Sequence, residues 1–208
     1  MRTLLTAVSA LTLATACAHA EQTLEGVAAD TYQLEKNHAF LTAKVKHMGL
    51  SQYFIDFTDF DATLEFDPEN PTASQLSVTI DPTGLDTQYP DPEKKQEWES
   101  ELANEGRWFN SGEFPKITFV STSSEMTGEF TGTVTGDLTF LGVTKPVTLD
   151  VTYHGTANTP WFGDRDLLGF TATTTITRSE FGMNAMVPNI SDEVDVEFSG
   201  EFLQAADS

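Results

Sequence analysis

Val147-Thr148-Leu149-Asp150-Val151-Thr152-Tyr153-His154 puts an apolar side chain at every odd position and a polar one at every even position. Successive side chains of an extended chain point to opposite faces, so a period of two reads as a strand with one dry and one wet face. Leu76, Val78 and Ile80 repeat the pattern around Ser77 and Thr79, and Val194, Val196 and Phe198 repeat it around Asp195, Glu197 and Ser199. Working outward, strands are expected over 31–36, 39–47, 53–67, 74–86, 115–126, 129–141, 145–156, 166–178 and 191–203. Several exceed ten residues, which suits tilted barrel strands better than a sandwich. If the first two form one bent strand, about eight remain. At that number a barrel is either filled by its own side chains or holds one small ligand. The expected fold class is therefore all-β, an antiparallel barrel of roughly eight strands.

Leu141-Gly142-Val143-Thr144 reads as a tight reversal, and Pro146 belongs at an edge or at the start of a strand. One segment breaks the alternation. Asp91-Pro92-Glu93 combines a cap, a proline at the first helical position and an acid in the first turn, which starts a helix over about 91–105. Trp98 and Leu102 share its apolar face, and Gly106 stands where it should stop. Such a helix packs either on the barrel wall or across an open end.

Met1-Arg2-Thr3, the apolar run from Leu4 to Leu13 and Ala18-His19-Ala20 have the order of a signal peptide cut after Ala20. That predicts export to the periplasm and a single domain over 21–208. Acylation at Cys17 is the weaker alternative, since Ala14 stands where a lipoprotein signal has Leu. Cleavage would also remove Cys17, the single cysteine, leaving no disulfide chemistry. With 32 Asp and Glu against 11 Lys and Arg, the formal net charge is −21. An acidic protein of this kind repels phosphate backbones, so nucleic acid is excluded as a partner.

Chemistry is sparse. There is no G-x-S-x-G elbow and no H-E-x-x-H pair, and the acids at Asp56, Asp59, Asp61, Glu97, Glu99 and Glu101 read as solvated faces. His38, His47 and His154 lack the close spacing of metal ligands. No catalytic residue, metal or cofactor is therefore expected. Phenylalanine is conspicuous, with 15 residues against 4 Tyr and 3 Trp. Phe66, Phe119, Phe130, Phe140, Phe170 and Phe198, with Tyr153, either fill a core or line an apolar site. Arg178 ends the run Phe170, Ala172, Thr174, Ile176 on the inward face, where it would bind a polar head group or close the barrel as a buried ion pair.

Tyr32-Gln33-Leu34, Asn37-His38 and Val45-Lys46-His47-Met48-Gly49 resemble the opening of the YceI-like family of periplasmic polyisoprenoid-binding proteins. Trp108-Phe109-Asn110, Phe114 to Phe119, Gly136 to Thr139, Gly142 to Val147, Arg178 to Gly182 and Ser191 to Val194 follow in that family's order. The resemblance implies a lipocalin-like barrel whose interior holds an isoprenoid lipid or quinone, often as a homodimer. On it, the eight inward residues become the ligand-binding set, and the protein would meet membrane quinone- or lipid-handling enzymes transiently. The rival readings are a lipid-modifying enzyme of the same architecture and a side-chain-filled barrel serving interactions or stress response. Ala39 replaces the family's usual Ser and Ala43 its usual aromatic residue, which makes the interior roomier if residue 43 points inward.

Overall fold

The computed structural model describes residue 20 and residues 22–206. The expected signal peptide and Cys17 lie outside the described residues. The chain forms strands β1 (Asp30–His47), β2 (Ser51–Phe57), β3 (Phe60–Phe66), β4 (Gln75–Ile80), β5 (Leu85–Asp86), β6 (Ile117–Met126), β7 (Thr131–Phe140), β8 (Val143–Asn158), β9 (Asp166–Thr177) and β10 (Glu193–Gln204). Helix α1 (Pro92–Asn104) interrupts them after β5.

Ten strands occupy eight barrel positions. β2 and β3 both pair antiparallel with β1, so they are two halves of one strand broken at Thr58–Asp59. β4 pairs with β3, and β5 with β2, across a 3-10 turn at Pro82–Gly84, making a second broken strand. β6 to β10 follow as antiparallel neighbours, and β10 pairs with β1 to close the ring. The eight-stranded antiparallel barrel and, among the described residues, its one α-helix match the expectation. Neither break was foreseen, since 53–67 and 74–86 each read as one continuous strand, yet both shift the inward parity, from odd (Phe57) to even (Phe60) and from even (Ile80) to odd (Leu85).

The wet faces of β8 and β10 carry Thr148, Asp150, Asp195 and Glu197, all exposed. Apolar residues point inward and polar ones outward, the reverse of a lipid-facing barrel. A bulge in β1 adjusts the alternation. Glu35 faces Glu201 and Ala39 faces Gly200, so residues 36–38 are extra. Three is an odd number, so inward positions change from even (Tyr32, Leu34) to odd (Leu41, Ala43) across the bulge.

The Leu141–Gly142 reversal has positive φ at both residues (49° and 73°), the two-residue turn whose twist suits a hairpin. Pro146 pairs with Asp137 of β7 and lies ahead of the β9 ladder, which starts at Asp150, so its missing N–H breaks no bond there. Asp91 Oδ1 caps α1 by accepting from the Glu93 and Lys94 amides, both at 3.0 Å. The helix ends on Glu105, whose N–H bonds to Glu101 O, one residue before Gly106. It packs beside β5 and the 82–84 turn, with Leu102 and Ala103 buried and Trp98 edge-on to Trp108 at 5.9 Å.

Candidate functional site

The inward faces of the eight strand positions do not meet at the axis. They surround a cavity of about 310 Å3 lined almost wholly by carbon. The partial burial of interior residues reports it directly. Val147, Leu149 and Val151 point inward on β8, yet each keeps accessible surface, as do Phe170 and Phe198. In a filled barrel these positions would be as buried as Leu168, which is 0% exposed.

All eight residues singled out from the sequence line this one cavity. Phe66, Phe119, Phe140 and Tyr153 are buried in its wall, while Phe130, Phe170 and Phe198 present ring surface to the void. Aromatic contacts chain them together. Phe66 meets Phe170 at 6.2 Å, Phe170 meets Tyr153 at 5.2 Å, and Tyr153 meets Phe130 at 6.2 Å. Phe119 packs against Gly136 of β7, where an added Cβ would sit only 2.4 Å from the ring. Ala43 also faces the cavity, so the space an aromatic side chain would take is left open.

One end is sealed. The segment after α1 is pinned by Phe109 N to Leu102 O (3.0 Å) and Ser111 N to Ala103 O (2.8 Å). This drives Phe109 into the barrel against Phe57 (5.7 Å) and Phe140 (5.8 Å). No residue of α1 itself lines the cavity, so the helix is a buttress and Phe109 the plug. Arg178 completes the floor. It is 2% exposed, and its guanidinium donates to four carbonyls: Ser191 (2.8 Å), Met183 (3.1 Å), Ala185 (2.9 Å) and Ile190 (3.0 Å). Burial lowers its pKa from the usual arginine value. The buried ion pair weighed for it from the sequence is not formed. Asp192, the acid nearest in charge, accepts instead from the Ser179 amide (2.9 Å) and hydroxyl (2.6 Å), which hold its carboxyl below the usual range.

The opposite end is partly covered by residues 22–28. Tyr32 Oη donates to Ala28 O and Tyr153 Oη to Thr23 O, both at 2.8 Å, and Leu24 reaches the cavity. Burial pushes the Tyr153 phenol up to about 12, so it stays protonated and donates. Beside this cover the wall opens. The β4–β6 ladder stops at Ser77–Val120, and beyond it a 3-10 turn (Pro71–Ala73) faces β6 instead of a strand. Thr72, Glu125, Met126 and Glu129 line the cavity here and are exposed to solvent, so this gap is the mouth.

His38, His47 and His154 stand apart from the cavity. His47 and His154 are exposed, and His154 bonds Thr171 Oγ1 at 2.9 Å. His38 sits in the β1 bulge with Nδ1 2.5 Å from Glu35 and 3.6 Å from Glu201. This is the one converging group of ligand-type atoms among the described residues. Glu35 also accepts from the Asn37 amide (3.3 Å) and side chain (2.6 Å), so its carboxylate is engaged in fastening the bulge. Sequence reasoning missed Phe57, Phe60, Phe109 and Ser74 of the lining. Phe60 was findable, since Phe60, Ala62, Leu64 and Phe66 alternate. Phe109 lies outside strands, where no period marks it, and Ser74, expected to open a strand, falls just ahead of β4.

Comparison with known proteins agrees with this geometry. Residues 32–202 match the model of the YceI-like domain. Protein YceI of Escherichia coli O17:K52:H18 is 37% identical over 180 residues, 86% of this chain and 88% of that one. The crystal structure of Burkholderia cenocepacia BcnA superposes with a TM-score of 0.67 at 25% identity, over 83% of this chain and 99% of that one. A polyisoprenoid-binding domain from Saccharophagus degradans, implicated in plant cell wall breakdown, shares the fold at a TM-score of 0.59 and 16% identity, over 84% and 98% of the two chains. With the family model spanning the barrel from β1 to β10, the chain belongs to the YceI-like family.

Proposed function

We propose that this protein is an exported, periplasmic carrier that sequesters or transports an isoprenoid lipid, a quinone or a polyprenyl carrier, in the barrel interior. The observation that carries the reading is the hollow apolar barrel with one sealed end and one mouth. Its volume of about 310 Å3 lies at the lower end of ligand sites, which run from about 300 to about 1,000 Å3. Burying each methylene of a tail is worth about 0.8 kcal/mol, so a free isoprenoid crosses an aqueous compartment only at great cost unless an apolar sleeve shields it. The fold shared with the S. degradans domain supports the same ligand class.

Binding without chemistry suits the lining. Its ionisable side chains are Glu125 and Glu129 at the rim, Arg178 bound to carbonyls and Tyr153 bound to Thr23. None has the nucleophile–base geometry that a lipid-modifying enzyme requires. The reading includes transient contact with membrane enzymes that hand over the lipid. It also includes a homodimer, for which Met48, Leu50 and Phe54 of the β1–β2 hairpin offer exposed apolar area. Native mass spectrometry of protein purified from the periplasm, followed by lipid extraction, tests the carrier. A stoichiometric isoprenoid is the expected result, and protein that carries none and takes up none when offered would end the reading.

A further inference from the structure

We propose that the mouth selects isoprenoid amphiphiles with an uncharged, hydrogen-bonding head group over those ending in phosphate or carboxylate. The inference rests on the carrier reading and narrows it to head-group chemistry. A tail that fills a blind apolar cavity leaves its head at the gap between the 71–73 turn and the β6–β7 hairpin, so the groups at that gap decide which heads are tolerated.

Three observations bear on it. Glu125 and Glu129 flank the gap, both exposed and neither paired with a basic side chain among the described residues. Among the described residues Arg178 is the only cation of the lining, and it lies at the sealed end with four of its donors given to backbone carbonyls. The mouth also contains Ser74, whose Oγ is buried without a hydrogen-bond partner. A buried orphan hydroxyl is costly unless something meets it, and a serine hydroxyl both donates and accepts. A ketone or alcohol oxygen satisfies it. A phosphate would be held beside two carboxylates with no cation to offset the repulsion, on a chain of net charge −21. The chemistry of this rim therefore fits a quinone or a prenol and opposes a prenyl phosphate.

The test uses delipidated full chain loaded with the uncharged fluorophore N-phenyl-1-naphthylamine, displaced by farnesol or by farnesyl phosphate. The tails are identical and only the heads differ. Farnesol is expected to displace the probe at least tenfold more tightly at low ionic strength, with the gap shrinking as salt screens the rim. Glu125→Gln with Glu129→Gln should raise farnesyl phosphate affinity and so narrow the farnesol-to-phosphate ratio; both sites are exposed, so folding is not at stake. Ser74→Ala should weaken farnesol about fivefold, the worth of one neutral hydrogen bond, with no loss of melting temperature. Equal or tighter binding of farnesyl phosphate, or a ratio unmoved in the double variant, would overturn the inference and leave the carrier standing. If neither the fluorophore nor either prenyl compound binds, it is the carrier reading that fails.

Discussion

The phenol of Tyr153, on the inward face of β8, donates a 2.8 Å hydrogen bond to the carbonyl of Thr23, 130 residues earlier in the chain. Gln22 returns the contact, its side-chain amide donating to Tyr153 O at 3.0 Å. One aromatic residue thus belongs both to the cavity wall and to the cover over that end. Tyr153→Phe keeps the ring and deletes the bond, at a cost of about 1 kcal/mol or a fall of about 2–4 °C in melting temperature. Faster amide exchange should be confined to residues 22–28; protection unchanged there would mean that the bond does not hold the cover.

Filling the cavity should cost ligand before it costs stability. Ala43→Phe places an aromatic ring in space that is open in this barrel. Retained lipid per mole is expected to fall several-fold, while delipidated protein melts within about 3 °C of the wild type. Phe170→Trp and Phe198→Trp should behave alike. In a packed core each would instead cost typically about 1–3 kcal/mol by overpacking, so melting curves of lipid-free protein separate the two cases.

Arg178→Lys should be severe although the charge is kept. A lysine ammonium has three donors on one atom and cannot reach carbonyls spread from Met183 to Ser191. At about 1.5–3 kcal/mol for each charged hydrogen bond, and with losses that do not add fully, a destabilisation of at least about 3 kcal/mol is expected. That corresponds to a fall of about 6–12 °C, accompanied by early proteolysis within residues 182–191. A variant as stable as the wild type would show that the carbonyl cage is dispensable.

Acid should loosen the seam where β4 meets β6. Asp81 accepts from Thr83 Oγ1 (2.6 Å) and the Thr83 amide (2.9 Å) and pairs with Lys116 (2.9 Å), which together lower its carboxyl to about 2 from the ordinary 3.8. A depressed native pKa contributes stability that is complete above the unfolded value and is lost as pH falls through the native one. The contribution should therefore be intact above about pH 5, decline as pH falls and be gone only below the native value, near about pH 1. Asp192 and Glu35, both also lowered, act in the same direction. Urea midpoints measured across this window should fall less steeply for Asp81→Asn, and an identical slope would remove Asp81 from the account.

The barrel was legible because each strand repeats one simple instruction, apolar in and polar out, and that same parity aimed Phe170, Phe198 and Arg178 inward. What Arg178 binds was not legible. Its acceptors are backbone carbonyls, which every residue type carries, so no sequence pattern distinguishes them. The breaks at Thr58–Asp59 and 82–84 do leave a mark, a shift of the inward set from odd (Phe57) to even (Phe60) and from even (Ile80) to odd (Leu85), but reading 53–67 and 74–86 each as one strand passes over it. Helix α1 announced itself through Asp91, Pro92 and Glu93, but caps fix where a helix begins and say nothing of what it leans on. Hence the plug, Phe109, could be found only in three dimensions.

The interrupted ladder between β4 and β6 has a kinetic consequence. Over residues 121–126, β6 has no β4 partners, and a single bond, Leu76 N to Ser121 Oγ at 2.8 Å, bridges the start of the gap. Prising the wall apart there ruptures almost nothing, whereas the β1–β10 seam would have to surrender a row of backbone bonds. A long, limp tail can then be laid in sideways like thread into a slit bobbin. Under the carrier reading it would not need to reptate end-first through a rigid ring, and uptake and delivery would be quick.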